Sequence, residues 1–223
     1  MNRKLFRKAL SRFFMGLAAV GILLFLPAGT FRYPQALMLL GILFIPMFFA
    51  GLVMMKKSPG LLEKRLDVKE KEKEQKEVIL FSGIMFLAAF IAAGLSFRFR
   101  FLMLPFPVSV IFAVVFLAAY ALYAEVLREN MYLSRTIEVQ EDQKVIDTGL
   151  YGIVRHPMYM VTVFLFLSMP LVLGSVLSFV IMLCYIPIIV KRIRNEEQVL
   201  AKGLKGYEEY RKKVRCRLIP FIW

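Results

Sequence analysis

Four uncharged apolar stretches, at 13–29, 35–55, 78–97 and 102–124, punctuate the first part of the chain. Each is close to or above the roughly 18 residues that cross a hydrocarbon core about 30 Å thick. A fifth run, 158–190, holds 33 residues without a charge. As one helix it would reach about 50 Å, too long for an ordinary span. Gly174 and Ser175 lie at its middle, just after Pro170, which predicts two short helices joined by a turn, with both open ends on the same side. The pattern therefore predicts an all-α, polytopic membrane helix bundle: four spanning helices, a C-terminal helical hairpin at 158–190 and a cytosolic tail helix. No repeat or low-complexity linker divides the chain. The expected organisation is a four-helix membrane region at 1–127 integrated with a second region at 128–223.

Composition agrees with the pattern. Apolar side chains make up 59% of the 223 residues, above the roughly 45–50% of soluble chains, which argues against a water-soluble fold. The first apolar run follows Arg3, Lys4, Arg7, Lys8 and Arg12 and precedes a weak cleavage-like Ala28-Gly29-Thr30; it is read as a retained anchor. Two cysteines, Cys184 and Cys216, define neither a disulfide framework nor a metal-ligand spacing, and the single histidine argues against a metal cluster.

The net charge of +14 changes the picture once it is sorted by loop. The segments 1–12, 55–77, 128–155 and 191–223 hold 27 of the 30 Lys and Arg residues, and the two intervening loops hold only Arg32, Arg98 and Arg100. The positive-inside tendency then places the N-terminus, the middle loop, the 128–155 segment and the tail on the cytoplasmic side of a multi-pass protein. No basic stripe is interleaved with aromatics as a nucleic-acid face requires, so the charge reads as topology plus attraction to anionic membrane lipid, with no nucleic-acid partner. In the middle loop, Ser58 followed by Pro59 predicts a short helix, and the mixed-charge run 69–77 is expected to be solvated. Oligomeric state is not legible in the pattern.

The polar groups suited to chemistry flank the fifth apolar run. Before it stands Asp147-Thr-Gly-Leu-Tyr-Gly-Ile-Val-Arg-His-Pro-Met-Tyr159, with the only histidine; after it stands Lys191-Arg-Ile-Arg-Asn-Glu-Glu197. A hairpin brings the two clusters together. Arg192 and Glu196, four apart on a helix, share a face, as do Arg194 and Glu197 at three.

Thr148-Gly-Leu-Tyr-Gly-Ile-Val-Arg-His-Pro-Met-Tyr159, the apolar hairpin, Arg192-Ile-Arg-Asn-Glu-Glu-Gln-Val-Leu200 and Gly206-Tyr-Glu-Glu-Tyr-Arg-Lys-Lys-Val214 to Ile219-Pro-Phe221 resemble the C-terminal half of the isoprenylcysteine carboxyl methyltransferase and phospholipid methyltransferase superfamily. The resemblance implies an S-adenosyl-L-methionine pocket on the cytosolic side, open toward the lipid, and a lipophilic or lipidated acceptor. By this resemblance the cofactor contacts are expected among Gly149, Tyr151, Arg155, His156, Pro157, Tyr159 and Glu196. Arg192, then Arg194, is the expected cation for an acceptor carboxylate, and Glu197 or His156 the expected base if the acceptor is an amine. The residue types suit the ligand. His156 and the amides opening the following helix can hold a carboxylate, Tyr151 and Tyr159 can pack against adenine or ribose, and Glu196 and Glu197 can take ribose hydroxyls or the ammonium.

Two other functions fit the pattern less fully. Membrane sterol reductases share a similar Arg-His-Pro-x-Tyr string and bind a nicotinamide nucleotide, but here Glu196-Glu197 stands where an Arg-Asp type of pair is expected. A non-enzymatic membrane protein is the other; the apolar runs carry no charged residue of the kind that marks an ion pathway, Glu125 standing just past the end of the fourth. Among the remaining residues, Gly16, Ala19, Gly41, Gly83 and Gly94 are expected at helix contacts. Glu125 and Arg128 are expected to form an interfacial ion pair, Tyr207 and Tyr210 to pack the tail on the membrane face, and Phe221 and Trp223 to sit at the interface.

Overall fold

A computed structural model describes residues 3–66, 73–130, 132–133 and 139–223. The predicted spans are four long helices: α1 (Arg3–Ala28), α2 (Pro34–Lys57), α4 (Lys73–Phe99) and α5 (Phe106–Glu129). Between α2 and α4 lies the short α3 (Pro59–Leu66), beginning at the expected proline. The mixed-charge run 69–77 falls partly outside the described residues.

α1 begins well before its apolar run, since Lys and Arg are good helix formers. α5 begins later than predicted. Pro105 and Pro107 delay it, because proline lacks the N–H for a helix interior but suits a first turn. Residues 102–104 instead pair with the hairpin turn: Leu104 N donates to Gly174 O at 2.7 Å and Val176 N to Leu102 O at 3.1 Å.

The turn falls where Gly174 and Ser175 predict it. α6 (Pro157–Val172) ends there, Gly174 takes a left-handed φ of +73°, and the Ser175 side chain caps α7 (Val176–Met182) by accepting from Ser178 N. The second arm breaks again at Leu183 and Cys184 and resumes as α8 (Tyr185–Gly203), which runs past Val190 without interruption. The hairpin therefore has one short arm and one long one. Among the described residues, five helices are long and apolar enough to cross a membrane, with 176–203 counted as one, while the 16 residues of α6 are fewer. A last helix, α9 (Tyr207–Lys213), follows a left-handed Gly206.

Many large apolar side chains face outward, among them Phe14, Met15, Leu26, Ile111 and Val114. Such a surface fits lipid rather than water as the solvent. The interior forms where α6 packs along α5, and α4 packs between α1 and α7. Gly94 permits the α1–α4 approach: a Cβ there would stand 2.6 Å from the Leu24 carbonyl oxygen. This bears out the contact expected of Gly94. Gly41 and Gly83 do not behave so, since a Cβ at either meets nothing within 4 Å.

Candidate functional site

Site geometry begins with a backbone pairing. A 3-10 turn at Gly149–Gly152 leads into residues 153–156, and Arg155 N and His156 N each donate, at 2.9 Å, to the tail carbonyls of Cys216 and Arg217. Pro157 then opens α6 as its first residue. The tail is thus stitched beside the start of the helix that carries Tyr159.

Glu197 locks this junction from α8. Its Oε1 accepts from Arg155 Nε at 2.8 Å and lies 3.4 Å from His156 Nε2, and its Oε2 accepts from Arg217 Nε at 2.9 Å. Arg155 also donates through Nη1 to the carbonyls of Val214 and Arg215 at 2.9 and 3.1 Å. The Arg155 and Glu197 side chains are only 6% and 7% exposed, so charge, hydrogen bonding and burial all hold the three chain segments together. The junction predicted from the hairpin does form, with His156 meeting the glutamate pair.

Beside it, Tyr159 bridges the face predicted for Arg192 and Glu196. Its hydroxyl donates to Glu196 Oε2 and accepts from Arg192 Nε at 3.0 Å. One turn on, Thr162 Oγ1 and Tyr185 Oη are 2.9 Å apart.

These groups line a cavity of about 630 Å³ that changes character along its length. At one end stand Tyr151, Arg155, His156, Leu204, Tyr207 and Tyr210. Arg192 and Glu196 follow, and the wall then becomes apolar with Val78, Ile79, Gly83 and Phe86 of α4, Phe166 of α6 and Ile188 of α8. Arg65 of α3 and Tyr123 of α5 also line it, the Arg65 guanidinium hydrogen-bonded to the Tyr123 hydroxyl and lying 5.3 Å from its ring centre.

Of the predicted residues, Tyr151, Arg155, His156, Tyr159, Arg192 and Glu196 all line this cavity. Four others do not. Gly149, with φ +49°, packs against the Glu129 carboxylate, where a Cβ would come within 2.1 Å of Oε1, so it serves the loop. Pro157 starts α6. Glu197 is not among the cavity's lining residues and points into the Arg155–Arg217 junction, where both of its oxygens accept hydrogen bonds. Arg194 is exposed and faces the opposite side of α8 rather than pairing with Glu197. The spacing of three permitted that pair, but Glu197 finds buried partners that a surface arginine cannot match.

Several cavity residues escaped the sequence reading. Tyr207 and Tyr210 were expected against the membrane; they are instead 3% and 6% exposed and line the cavity, with Tyr210 Oη donating to Tyr151 O at 2.8 Å. The Tyr207 hydroxyl is buried without a hydrogen-bond partner among the described residues. Burial, reinforced by Glu197 and Glu196, raises its phenol well above the usual range, so it remains a donor. Gly83 was expected at a helix contact and instead opens the cavity wall, with its neighbours from α4. An apolar helix facing a cavity reads the same as one facing lipid, so no local signal marked α4. Glu125 and Arg128 form the expected ion pair at 2.5 Å, outside the cavity.

Comparison with known proteins matches residues 109–202 to the model of the isoprenylcysteine carboxyl methyltransferase family. The resemblance to that family is borne out over this segment. The match runs from within α5 to near the end of α8, so it takes in the 3-10 turn, the His156 junction, Tyr159, Arg192 and Glu196. It begins before the resemblance legible in the sequence and stops short of α9. The chain is also similar to part of another protein: 91 of its residues are 32% identical to the Delta(14)-sterol reductase of Mus musculus. That similarity covers 40% of this chain and 22% of the length of the reductase.

Proposed function

We propose that the protein is an integral membrane methyltransferase that uses S-adenosyl-L-methionine and methylates a lipophilic acceptor entering from the bilayer. The observation that carries the reading is one cavity joining a polar end, with His156, Glu196 and a Tyr207 hydroxyl unpartnered among the described residues, to an apolar wall built by three helices. Its volume of about 630 Å³ lies in the roughly 300–1,000 Å³ range of small-molecule sites.

The residues suit the cofactor's chemistry. His156 supplies a donor for its carboxylate, beside an Arg155 whose charge is met by Glu197. Glu196 supplies an anion for the ammonium or the ribose hydroxyls, and Tyr207 a donor that already awaits an acceptor. The aromatic faces of Tyr151 and Tyr207 suit an adenine. When bound, the cofactor supplies an activated methyl group on a sulfonium.

The chain's own contribution is position and dryness. Tyr159 fixes Arg192 and Glu196 relative to each other across two helices, so the cation and anion hold distinct places. Arg192 stands where the polar end meets the apolar wall and can orient an acceptor carboxylate, which needs no general base. For an amine acceptor, His156, which lines the cavity, is the better placed of the two predicted bases. Val78, Ile79, Phe86 and Ile188 exclude water and accept an acyl or prenyl chain.

Calorimetric titration with S-adenosylhomocysteine tests the reading: saturable binding that collapses in His156→Ala and Glu196→Ala supports it, and unchanged binding in both refutes it. Radiolabelled cofactor incubated with a total lipid extract then identifies the methylated species, and release by base reports an ester.

The likeness to a sterol reductase supports a second reading, in which the same cavity binds a nicotinamide nucleotide and a sterol-like lipid. Binding of NADPH with no affinity for S-adenosylhomocysteine would select it. Glu196 beside Arg192 favours the first, because a second anion near a nucleotide phosphate is unfavourable.

A further inference from the structure

α8 presents three faces, set by its 3.6-residue turn. Tyr185, Ile189, Ile193 and Glu197 are buried, the first two also bordering the cavity; Ile188, Arg192, Glu196 and Leu200 line the cavity; a third stripe faces outward. The outward stripe lines a separate shallow groove of about 550 Å³. Its first part is apolar, Ile186, Pro187 and Val190, and its second is polar and cationic, Lys191, Arg194 and Gln198. Ile186 is 41% exposed. The change from one character to the other falls at Val190 and Lys191, where the 33-residue uncharged run ends.

We infer that this groove binds an anionic glycerophospholipid of the surrounding membrane, with an acyl chain along Ile186, Pro187 and Val190 and the phosphate at Arg194. Charge selects this occupant. Arg194 is exposed and makes no ion pair among the described residues, whereas its neighbour Lys191 is held at 3.0 Å by Glu77 of α4. Asn195, which also lines the groove, keeps its amide nitrogen without an acceptor among the described residues. A second copy of the chain would set this cationic stripe against a molecule that itself carries +14, which repels. A soluble acidic partner would leave the apolar half in contact with lipid instead of covering it. A phospholipid satisfies both halves at one depth.

The test uses the purified full chain in neutral detergent, titrated with phosphatidylglycerol, with phosphatidylcholine of the same acyl chains and with inorganic phosphate, read by native mass spectrometry and thermal unfolding. Phosphatidylglycerol is expected to persist as a bound adduct and raise the melting temperature, and the two controls are not. Arg194→Ala is expected to weaken that binding roughly five-fold, the contribution of one basic residue at a membrane surface. Arg194→Lys is expected to retain most of it. The inference is overturned if phosphatidylcholine or inorganic phosphate matches phosphatidylglycerol. It is equally overturned if Arg194→Ala binds as the wild type does, or if an Arg7→Ala, Lys8→Ala variant loses as much, since the attraction would then be diffuse charge and not a groove.

Discussion

The two ends of the α6–α8 hairpin bury polar groups to opposite effect. At the turn, Leu104 and Val176 pair through the backbone with Gly174 and Leu102, Ser175 Oγ donates to Ser96 Oγ at 3.0 Å, and Tyr33 Oη donates to Leu173 O at 2.6 Å. These groups satisfy one another, although Ser109 Oγ beside Gly174 has no partner among the described residues. At the open end, the backbone pairing with the tail is equally close, but its side chains divide. Arg155, Arg217 and Glu197 close on themselves, while Tyr159, Arg192, Glu196 and Tyr207 border an open space. The same hairpin therefore has a structural lock at one end and a lock with a cavity beside it at the other. Adjacent glutamates fall on either side of that divide.

Separating those two glutamates should produce the largest contrast. Glu197→Ala leaves the buried Arg155 guanidinium without its carboxylate and is expected to cost about 3–5 kcal/mol, read as a large fall in melting temperature or loss of folded protein. Glu196→Ala is expected to change stability by less than about 1 kcal/mol, yet weaken S-adenosylhomocysteine binding about 10- to 100-fold through loss of a charged hydrogen-bond partner. Equal effects of the two variants on stability would erase the distinction between lock and cavity.

The turn end offers the converse. Gly174→Ala forces a side chain into a left-handed conformation, with Met103 Cε and Ser109 Oγ each 3.3 Å from the new Cβ. It should cost about 1–2 kcal/mol, seen in thermal unfolding, with cofactor affinity of the folded protein unchanged. A matching loss of affinity would mean that the two ends are coupled.

The smallest change is the sharpest probe of the cavity. Tyr207→Phe removes a buried hydroxyl that has no partner among the described residues, so thermal stability should hold or rise slightly. S-adenosylhomocysteine affinity should fall about five- to ten-fold, the worth of roughly 1 kcal/mol from one hydrogen bond. Unchanged affinity would assign the hydroxyl no ligand.

Much of this was legible residue by residue. Gly174, Ser175 and Pro170 placed the turn because left-handed backbone and capping are local requirements. The positions of His156 and Glu196 followed, since folding back a run of known length fixes what its ends meet. Arg192 and Glu196 were correctly placed on one face by spacing alone. Arg194 and Glu197 were placed together by the same rule and are apart, because spacing gives what two side chains can reach and not what else competes for them. Tyr207 was misplaced for a similar reason: an aromatic beside a membrane and an aromatic lining a cavity have the same local sequence signal.

The sequence by itself determined the apolar helices, the hairpin and its turn, the segregation of basic residues among the loops, and the identity of the polar segments that meet. Those features depend on hydrophobic run length, charge and backbone conformation, all of which act within a few residues. Only the tertiary structure decided which side of α8 became lock, cavity or outer groove, and that α4 rather than lipid alone faces the apolar wall. Successive residues on a helix point about 100° apart, so the rotation of α8 against its neighbours set the separate fates of Arg192, Arg194, Glu196 and Glu197. That rotation is fixed by packing among segments distant in the chain, in particular by Arg155 and Arg217 converging on Glu197 from the segment before α6 and from the tail.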